Sequence, residues 1–190
     1  MTKSSVLFSW VSVFFAALAN YSFFWLNERL FASLEFSSGV NWIFLPAGVN
    51  LLLVMVLGPW AAFGLTASAA LIKHQIFPEI DLLNVAVNGV IAGFGPVLAL
   101  WLAKHFFRID PTLKDRSSKT LIQLALLFSV LSAVLHQIWF AYVGQSQSLL
   151  SGAPVMALGD FLGTLIVLYI LKLTLFLAEL ILNKSNQVSN

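Results

Sequence analysis

The fold of this chain follows most directly from an apolar run at residues 155–182, with the sequence VMALGDFLGTLIVLYILKLTLFLAELIL. The run is long enough to cross a hydrocarbon core of roughly 30 Å, which takes about 20 helical residues. Its most informative residue is Asp160, in Gly159-Asp160-Phe161-Leu162-Gly163. A carboxylate inside a membrane segment is costly unless it faces protein, water or an opposite charge, so Asp160 is a candidate functional residue.

The composition places the whole chain in the membrane class. Of its 190 residues, 59% are hydrophobic and only 9% are charged, and the mean hydropathy is +0.92. These values are too apolar for a soluble domain. We predict a single domain of the all-α class, a polytopic transmembrane helical bundle.

Metal, redox and catalytic chemistry have no recognisable residues in this sequence. The absence of cysteine excludes disulfides, thiolate metal sites and a cysteine nucleophile, and the three histidines lack the spacing of a zinc site. There is no glycine-rich phosphate loop, nucleophile elbow or His-Glu-x-x-His motif. We therefore expect no metal, no cofactor and no enzymatic activity, with an intramembrane hydrolase as the enzymatic alternative.

The apolar segments predict about six spans. They are placed at residues 6–26, 41–57, 59–72, 82–103, 121–143 and 155–182. The third is short, and Gly58-Pro59 leaves almost no loop before it. Residues 59–72 therefore either cross the membrane completely or form a partly re-entrant element.

The first span also has features of a secretory signal. Lys3 precedes an apolar stretch that ends in small residues at Ala17 and Ala19. However, the apolar run continues through aromatic residues to Leu26, which is too long for a typical cleavable signal. We expect the segment to be kept as a membrane helix; cleavage would leave five spans.

Charge asymmetry predicts the orientation. Five basic residues lie between the fourth and fifth spans: Lys104, Arg108, Lys114, Arg116 and Lys119. Lys3 and Lys184 fall on the same side of a six-span protein, so both termini should be cytoplasmic. The basic loop also suits contact with anionic membrane lipid. Its aromatic residues, Phe106 and Phe107, lie together near its start and do not alternate with the basic residues in a way suited to base stacking, so we expect no nucleic acid partner.

Polar residues of four spans fall at a similar depth in the outer half of the membrane. They are Asp160, His136, Asn84, Asn88, Asn50, Asn41 and Trp42. At 1.5 Å per residue, Asp160 should lie about 7–8 Å deep and His136 about 10 Å deep. We predict a pocket that opens to the outside and binds a ligand or a partner around Asp160.

Each of these residues also has a structural interpretation. Asparagines often form hydrogen bonds between membrane helices without any ligand. A neutral His136 can be satisfied by a carbonyl group and a hydroxyl group such as that of Ser132. Asp160 could instead cap the N-terminus of its helix.

Two further patterns concern packing and charge. Lys172 and Glu179 share a helix face and are expected at the cytoplasmic interface; Lys172 would be the only buried cation if it faced inward. Small residues four apart, which allow close helix approach, occur at Gly64/Ser68, Gly89/Gly93 and Gly159/Gly163.

Three motifs together resemble the bacterial integral membrane sensor domain called MASE1. They are Trp42-Ile43-Phe44-Leu45-Pro46-Ala47-Gly48, then Gly58-Pro59-Trp60, and finally Gly159-Asp160-Phe161-Leu162-Gly163. The similarity covers residues 42–172. It implies motif roles for Pro46, Ala47 and Gly48, and for Gly159, Asp160 and Gly163.

The resemblance implies a location in the bacterial inner membrane and a role in signal transduction. Members of that family usually carry more helices and a cytoplasmic output domain, whereas this sequence ends at Asn190 and lacks the proline that often follows the Gly-Asp motif. The expectation is a stand-alone relative that acts on a separate protein partner.

Two functions are therefore expected from different classes. In the first, the chain is a sensory or accessory module that regulates or helps to assemble another protein. In the alternative, it is a small transporter, or a substrate-binding subunit of one, with a protonatable Asp160/His136 pocket.

Overall fold

The computed structural model of the protein describes residues 3–37, 39–109, 117–145 and 149–188. Within these ranges the chain forms six α-helices: α1 Lys3–Phe31, α2 Leu45–Leu57, α3 Ala61–Ile76, α4 Leu82–His105, α5 Ser118–Tyr142 and α6 Leu149–Val188. After α1 come a short 3-10 turn, Ala32–Leu34, and an antiparallel pair of strands, β1 Glu35–Ser37 and β2 Val40–Asn41. The predicted all-α class is confirmed.

Four helices are long and apolar enough to cross a membrane, namely α1, α4, α5 and α6. The helices α2 and α3 are shorter, with 13 and 16 residues. The turn at Gly58-Pro59-Trp60 joins them, and α3 is one uninterrupted helix that packs along α1 and α4. The structure is therefore that of a membrane protein with a helical core.

The six helices form a ring that α2 closes. Contacts connect α1 to α3, α3 to α4, α4 to α5, and α5 to α6, while α2 packs between α6 and α1 and also touches α3, α4 and α5. Most of α2 is buried, and Leu51 is completely so. The least exposed helix is thus also one of the shortest.

Successive helices run in opposite directions. Asn27, near the end of α1, bonds to Leu45 at the start of α2, and Lys172 of α6 reaches Ser118 at the start of α5. One end of the bundle, here called the basic end, contains the α2–α3 turn, the end of α4 and the start of α5. Exposed Lys104, Arg108 and Lys119 lie there, while Lys114 and Arg116 fall outside the described residues. The opposite end, called the cavity end, holds the strands and the α3–α4 connection.

Glycines allow the helices to approach closely, as predicted from their spacing. A Cβ atom on Gly64 would collide with the backbone of α1 at Val13, and one on Gly89 or Gly93 would collide with the backbone of α3 around Thr66. These contacts confirm the small-residue positions as packing sites.

The second predicted span is only partly helical, which corrects the boundary at residue 41. Asn41 belongs to β2, and the helix begins at Leu45. The intervening backbone packs against α6, where the amide of Phe44 donates to the carbonyl of Gly159 at 3.1 Å. A Cβ atom on Gly159 would collide with the carbonyl of Asn41, so only glycine admits this contact. Non-helical backbone is tolerated at such depth because it is buried within protein.

The start of α6 also differs from the prediction. The helix begins at Leu149 rather than at residue 155, so Asp160 lies about three turns inside it, roughly 16 Å from its start at 1.5 Å per residue. The alternative that Asp160 caps the N-terminus of this helix is wrong for this reason.

Candidate functional site

A cavity of about 220 Å³ lies inside the ring and reaches the cavity end of the bundle. All six helices contribute to its lining, together with Glu35, Gly39 and Asn41 of the strand region. The exposed Glu35 and Gly39 mark its mouth, and the buried Asp160 lies in its interior. By comparison, an apolar cavity of about 150 Å³ is sufficient to hold benzene.

Five of the seven residues predicted for the pocket line this cavity. They are Asp160, His136, Asn88, Asn50 and Asn41. Asn84 lies outside the lining because its side chain bonds to two neighbours, accepting from Asn88 Nδ2 at 2.7 Å and from Trp139 Nε1 at 3.0 Å. Trp42 also lies outside it; the residue is 40% exposed and its ring packs edge-on against Phe36.

Asp160 is the most buried carboxylate of the site, with only 2% of its surface exposed. The side chain of Ser132, on α5, forms a hydrogen bond with its carboxyl group. No basic side chain among the described residues pairs with it. Burial of a charge without a partner charge is costly, which makes this position unusual for a residue that only supports the fold.

His136 shares the same serine. Its Nδ1 lies 3.0 Å from the backbone carbonyl oxygen of Ser132. A carbonyl group can only accept, so Nδ1 must carry the hydrogen, and Nε2 of the neutral ring is an acceptor. Ser132 thus joins the two ionisable groups, through its backbone to His136 and through its side chain to Asp160.

The asparagines link helices, in agreement with their structural interpretation. Asn20 Nδ2 donates to Asn50 Oδ1 at 2.6 Å, and Ser68 Oγ donates to Asn20 Oδ1 at 2.8 Å. This chain of bonds joins α1, α2 and α3. Asn50 and Asn88 nevertheless also face the cavity, so support of the bundle and contact with a ligand are compatible at both positions.

Lys73 also lines the cavity and was not predicted as a site residue. Its ammonium group lies 4.5 Å from the ring centroid of Phe77 and 5.4 Å from that of Phe140. Lys172, expected to be the buried cation if it faced inward, instead donates to Ser118 Oγ at 2.9 Å at the basic end. Lys73 and Phe77 are one helical turn apart in the sequence, and this spacing could have indicated that Lys73 packs on the ring of Phe77.

Two of the three motifs found in the sequence, residues 42–48 and 159–163, lie against each other. A Cβ atom on Gly48 would meet the backbone of Gly163 and Thr164 at 2.8 Å, and Phe44 bonds to Gly159. Pro46 and Ala47 line the cavity beside them. Residues 42–48 and 159–163 therefore form one structural unit beside the cavity, whereas Gly58-Pro59-Trp60 lies at the basic end.

Comparisons with protein-family models, with curated proteins and with solved structures find no match for this chain. The described residues also contain no group of three or more His, Asp or Glu side chains that could hold a metal ion. The cavity itself is therefore the main indication of function.

Proposed function

We propose that this protein is an integral membrane sensory or accessory module, related to MASE1 domains and located in the bacterial inner membrane. It binds a small ligand from the outside in the cavity around Asp160 and passes the binding event to a separate protein. The observation that carries the proposal is the buried Asp160 carboxyl group in a cavity that all six helices line. Such a cavity with a few convergent polar groups is the usual form of a ligand site.

The proposed orientation follows from the charges at the two ends. With all six helices crossing the membrane, Lys3 and Val188 lie on the same side, together with Lys104, Arg108 and Lys119. Excess basic residues mark the cytoplasmic side. The cavity then opens to the outside, where it meets ligands that do not cross the membrane.

Helix α6 provides a route from the cavity to the cytoplasm. It carries Asp160 and continues to Val188 as one helix. Lys172 of α6 bonds to Ser118, the first residue of α5, so the residues of α6 after Lys172 have no part of α5 beside them. The last part of α6 therefore projects beyond its neighbour. A change in tilt or rotation at Asp160 would move this projecting part, which is the physical basis for a sensory role.

The exposed apolar side chains of α6 offer a surface for the partner. Ile170, Leu173, Phe176 and Ile181 are between 54% and 70% exposed in the isolated chain. Lipid covers some of this surface in a membrane, and a partner helix would cover the rest.

The first experiment is a mild-detergent pull-down of the tagged chain from its native membrane, analysed by mass spectrometry. We compare the wild type with Asp160→Asn, and use Glu79→Gln as the control because Glu79 is an exposed carboxylate outside the cavity. A stoichiometric partner that is weakened by Asp160→Asn and kept by Glu79→Gln supports the proposal. Recovery of the chain alone in all three forms contradicts it.

A small transporter is the second candidate. One observation favours it: the backbone before α2 is non-helical beside Gly159, and the short helix α2 starts at the cavity. Broken helices at mid-depth are typical of substrate sites in transporters. Uptake into proteoliposomes that depends on a pH gradient and is lost in Asp160→Asn would favour this function over the sensory one.

A further inference from the structure

We infer that the ligand of the cavity is a small organic cation, with a primary ammonium group that binds at Asp160 and an apolar body that contacts the aromatic wall. This inference depends on the proposed ligand-binding function and specifies its chemistry. It is drawn from the hydrogen-bonding groups, the charges and the rings that line the cavity.

Three polar side chains of the lining, those of Asn88, His136 and Asn41, can offer an acceptor to a ligand, whereas Asn50, whose Oδ1 accepts from Asn20, offers its Nδ2 donor. Asn88 uses its amide nitrogen to bond to Asn84, so it can offer only its oxygen to a ligand. His136 can offer only Nε2, because Nδ1 is bonded to Ser132. Asn41 lines the cavity, is 7% exposed, and its buried Oδ1 has no hydrogen-bond partner. A primary ammonium group supplies three hydrogen-bond donors. It also supplies a positive charge to pair with the Asp160 carboxylate, which no basic side chain among the described residues does.

The charges of the lining also favour a cation. Three acidic residues, Glu28, Glu35 and Asp160, line the cavity against one lysine, Lys73. The two glutamates lie toward the mouth and attract positive ligands from solution, since charged clefts concentrate ions of the opposite sign.

The aromatic wall already holds an ammonium group. The Nζ atom of Lys73 lies over the rings of Phe77 and Phe140, both of which line the cavity. Ring faces attract cations, and Lys73 therefore shows the kind of contact that a ligand ammonium group can make here. Phe24, Phe44 and Phe128 add apolar surface for the body of the ligand.

Lys73 gives the inference its sharpest test, because cationic and anionic ligands should respond to it with opposite signs. Removing this positive charge should strengthen the binding of a cation and weaken the binding of an anion or of a zwitterion held by its carboxylate. Lys172→Met is the matched control, since Lys172 lies at the basic end and bonds to Ser118.

The experiment is isothermal titration calorimetry on the full chain in lipid nanodiscs, with empty nanodiscs subtracted. The probes are 2-phenylethylamine, the nearly isosteric but uncharged 2-phenylethanol, and the anion 3-phenylpropionate. We expect the amine to bind most tightly, and its affinity to fall by about ten- to hundredfold in Asp160→Asn, as for a hydrogen bond to a charged group. Its affinity should rise by about two- to fivefold in Lys73→Met and stay unchanged in Lys172→Met.

Three results would overturn the inference. Tighter binding of the alcohol or the anion, with loss in Asp160→Asn, would show that the cavity binds a ligand of another class and would leave the proposed function standing. Weaker amine binding in Lys73→Met would show that Lys73 supports the site instead of repelling the charge of the ligand, which contradicts a cation bound beside it. Binding of no probe above empty nanodiscs would reject the cation, while the pull-down tests the proposed function independently.

Discussion

The contact between α6 and the backbone before α2 should fail when Gly163 acquires a side chain. In Gly163→Ala, the new Cβ atom would collide with the carbonyl group of Phe44 and lie 2.9 Å from the amide nitrogen of Leu45. Backbone atoms cannot rotate away as a flexible side chain can, so α6 or the extended segment has to move. This single methyl group therefore tests the observed path of the chain.

The expected loss of stability can be worked from these contacts. Overpacking costs about 1–3 kcal/mol, and the collision with backbone places this site at the upper end. Alanine gains about 1 kcal/mol over glycine as a helix former, which leaves a net loss of about 2 kcal/mol. For a chain of this size, each kcal/mol lowers the melting temperature by about 2–4 °C, so we expect a decrease of about 4–8 °C.

The assay is thermal unfolding of purified protein in detergent, with Gly95→Ala as the matched control. Gly95 is also a helical glycine, but the nearest atom to its added Cβ is a ring carbon of Phe128 at 4.0 Å, an ordinary contact. Gly95→Ala should therefore cost much less stability than Gly163→Ala, although Pro96, which follows it, restricts an alanine there and offsets part of the gain in helix propensity. The reasoning is refuted if Gly163→Ala melts at the same temperature as this control or above it.

Three further predictions address the network, the site and the orientation. Asn20→Leu removes two buried hydrogen bonds and should destabilise by about 1–3 kcal/mol, more than Ser68→Ala, which removes one; denaturation in detergent measures both. Asp160→Asn should keep or raise the melting temperature, because it removes a buried charge with no partner charge; a large decrease would make Asp160 a structural residue. The chain has no native cysteine, so a membrane-impermeant maleimide added to intact cells should label Glu79→Cys and not Arg108→Cys; the reverse pattern would invert the proposed orientation.

The sequence predicted the helices that have the longest apolar runs. Helix α4 was expected at residues 82–103 and occupies Leu82–His105, and α5 was expected at 121–143 and occupies Ser118–Tyr142. The non-helical backbone before α2 was missed for a physical reason. Its hydrogen-bond partner is Gly159, on a helix distant in sequence, and an apolar run does not reveal which backbone groups bond outside their own helix.

The positions of Asp160 and His136 in the site could be predicted from their depth along the helices alone. Asp160 and His136 share the cavity because their helices are antiparallel neighbours, so similar depth placed them together. Lys73 was missed because a lysine near the end of a span resembles an ordinary loop charge, and only the ring contacts place it in the cavity. The bond between Asn20 and Asn50 was not predicted, because nothing else in the sequence of α1 indicates that these two residues lie at the same level of the bundle.

The arrangement around Gly159 and Gly163 also bears on whether Asp160 supports the fold or serves a ligand. Both glycines face the backbone of the extended segment, which fixes the depth and rotation of α6 through close packing alone. Asp160 is one residue after Gly159, so its side chain is turned by about 100° from that contact, and it meets Ser132 on α5. The packing of α6 against this segment therefore needs the glycines but not the carboxylate. A buried carboxyl group that the packing does not require supports the proposed ligand site over a purely structural role for Asp160.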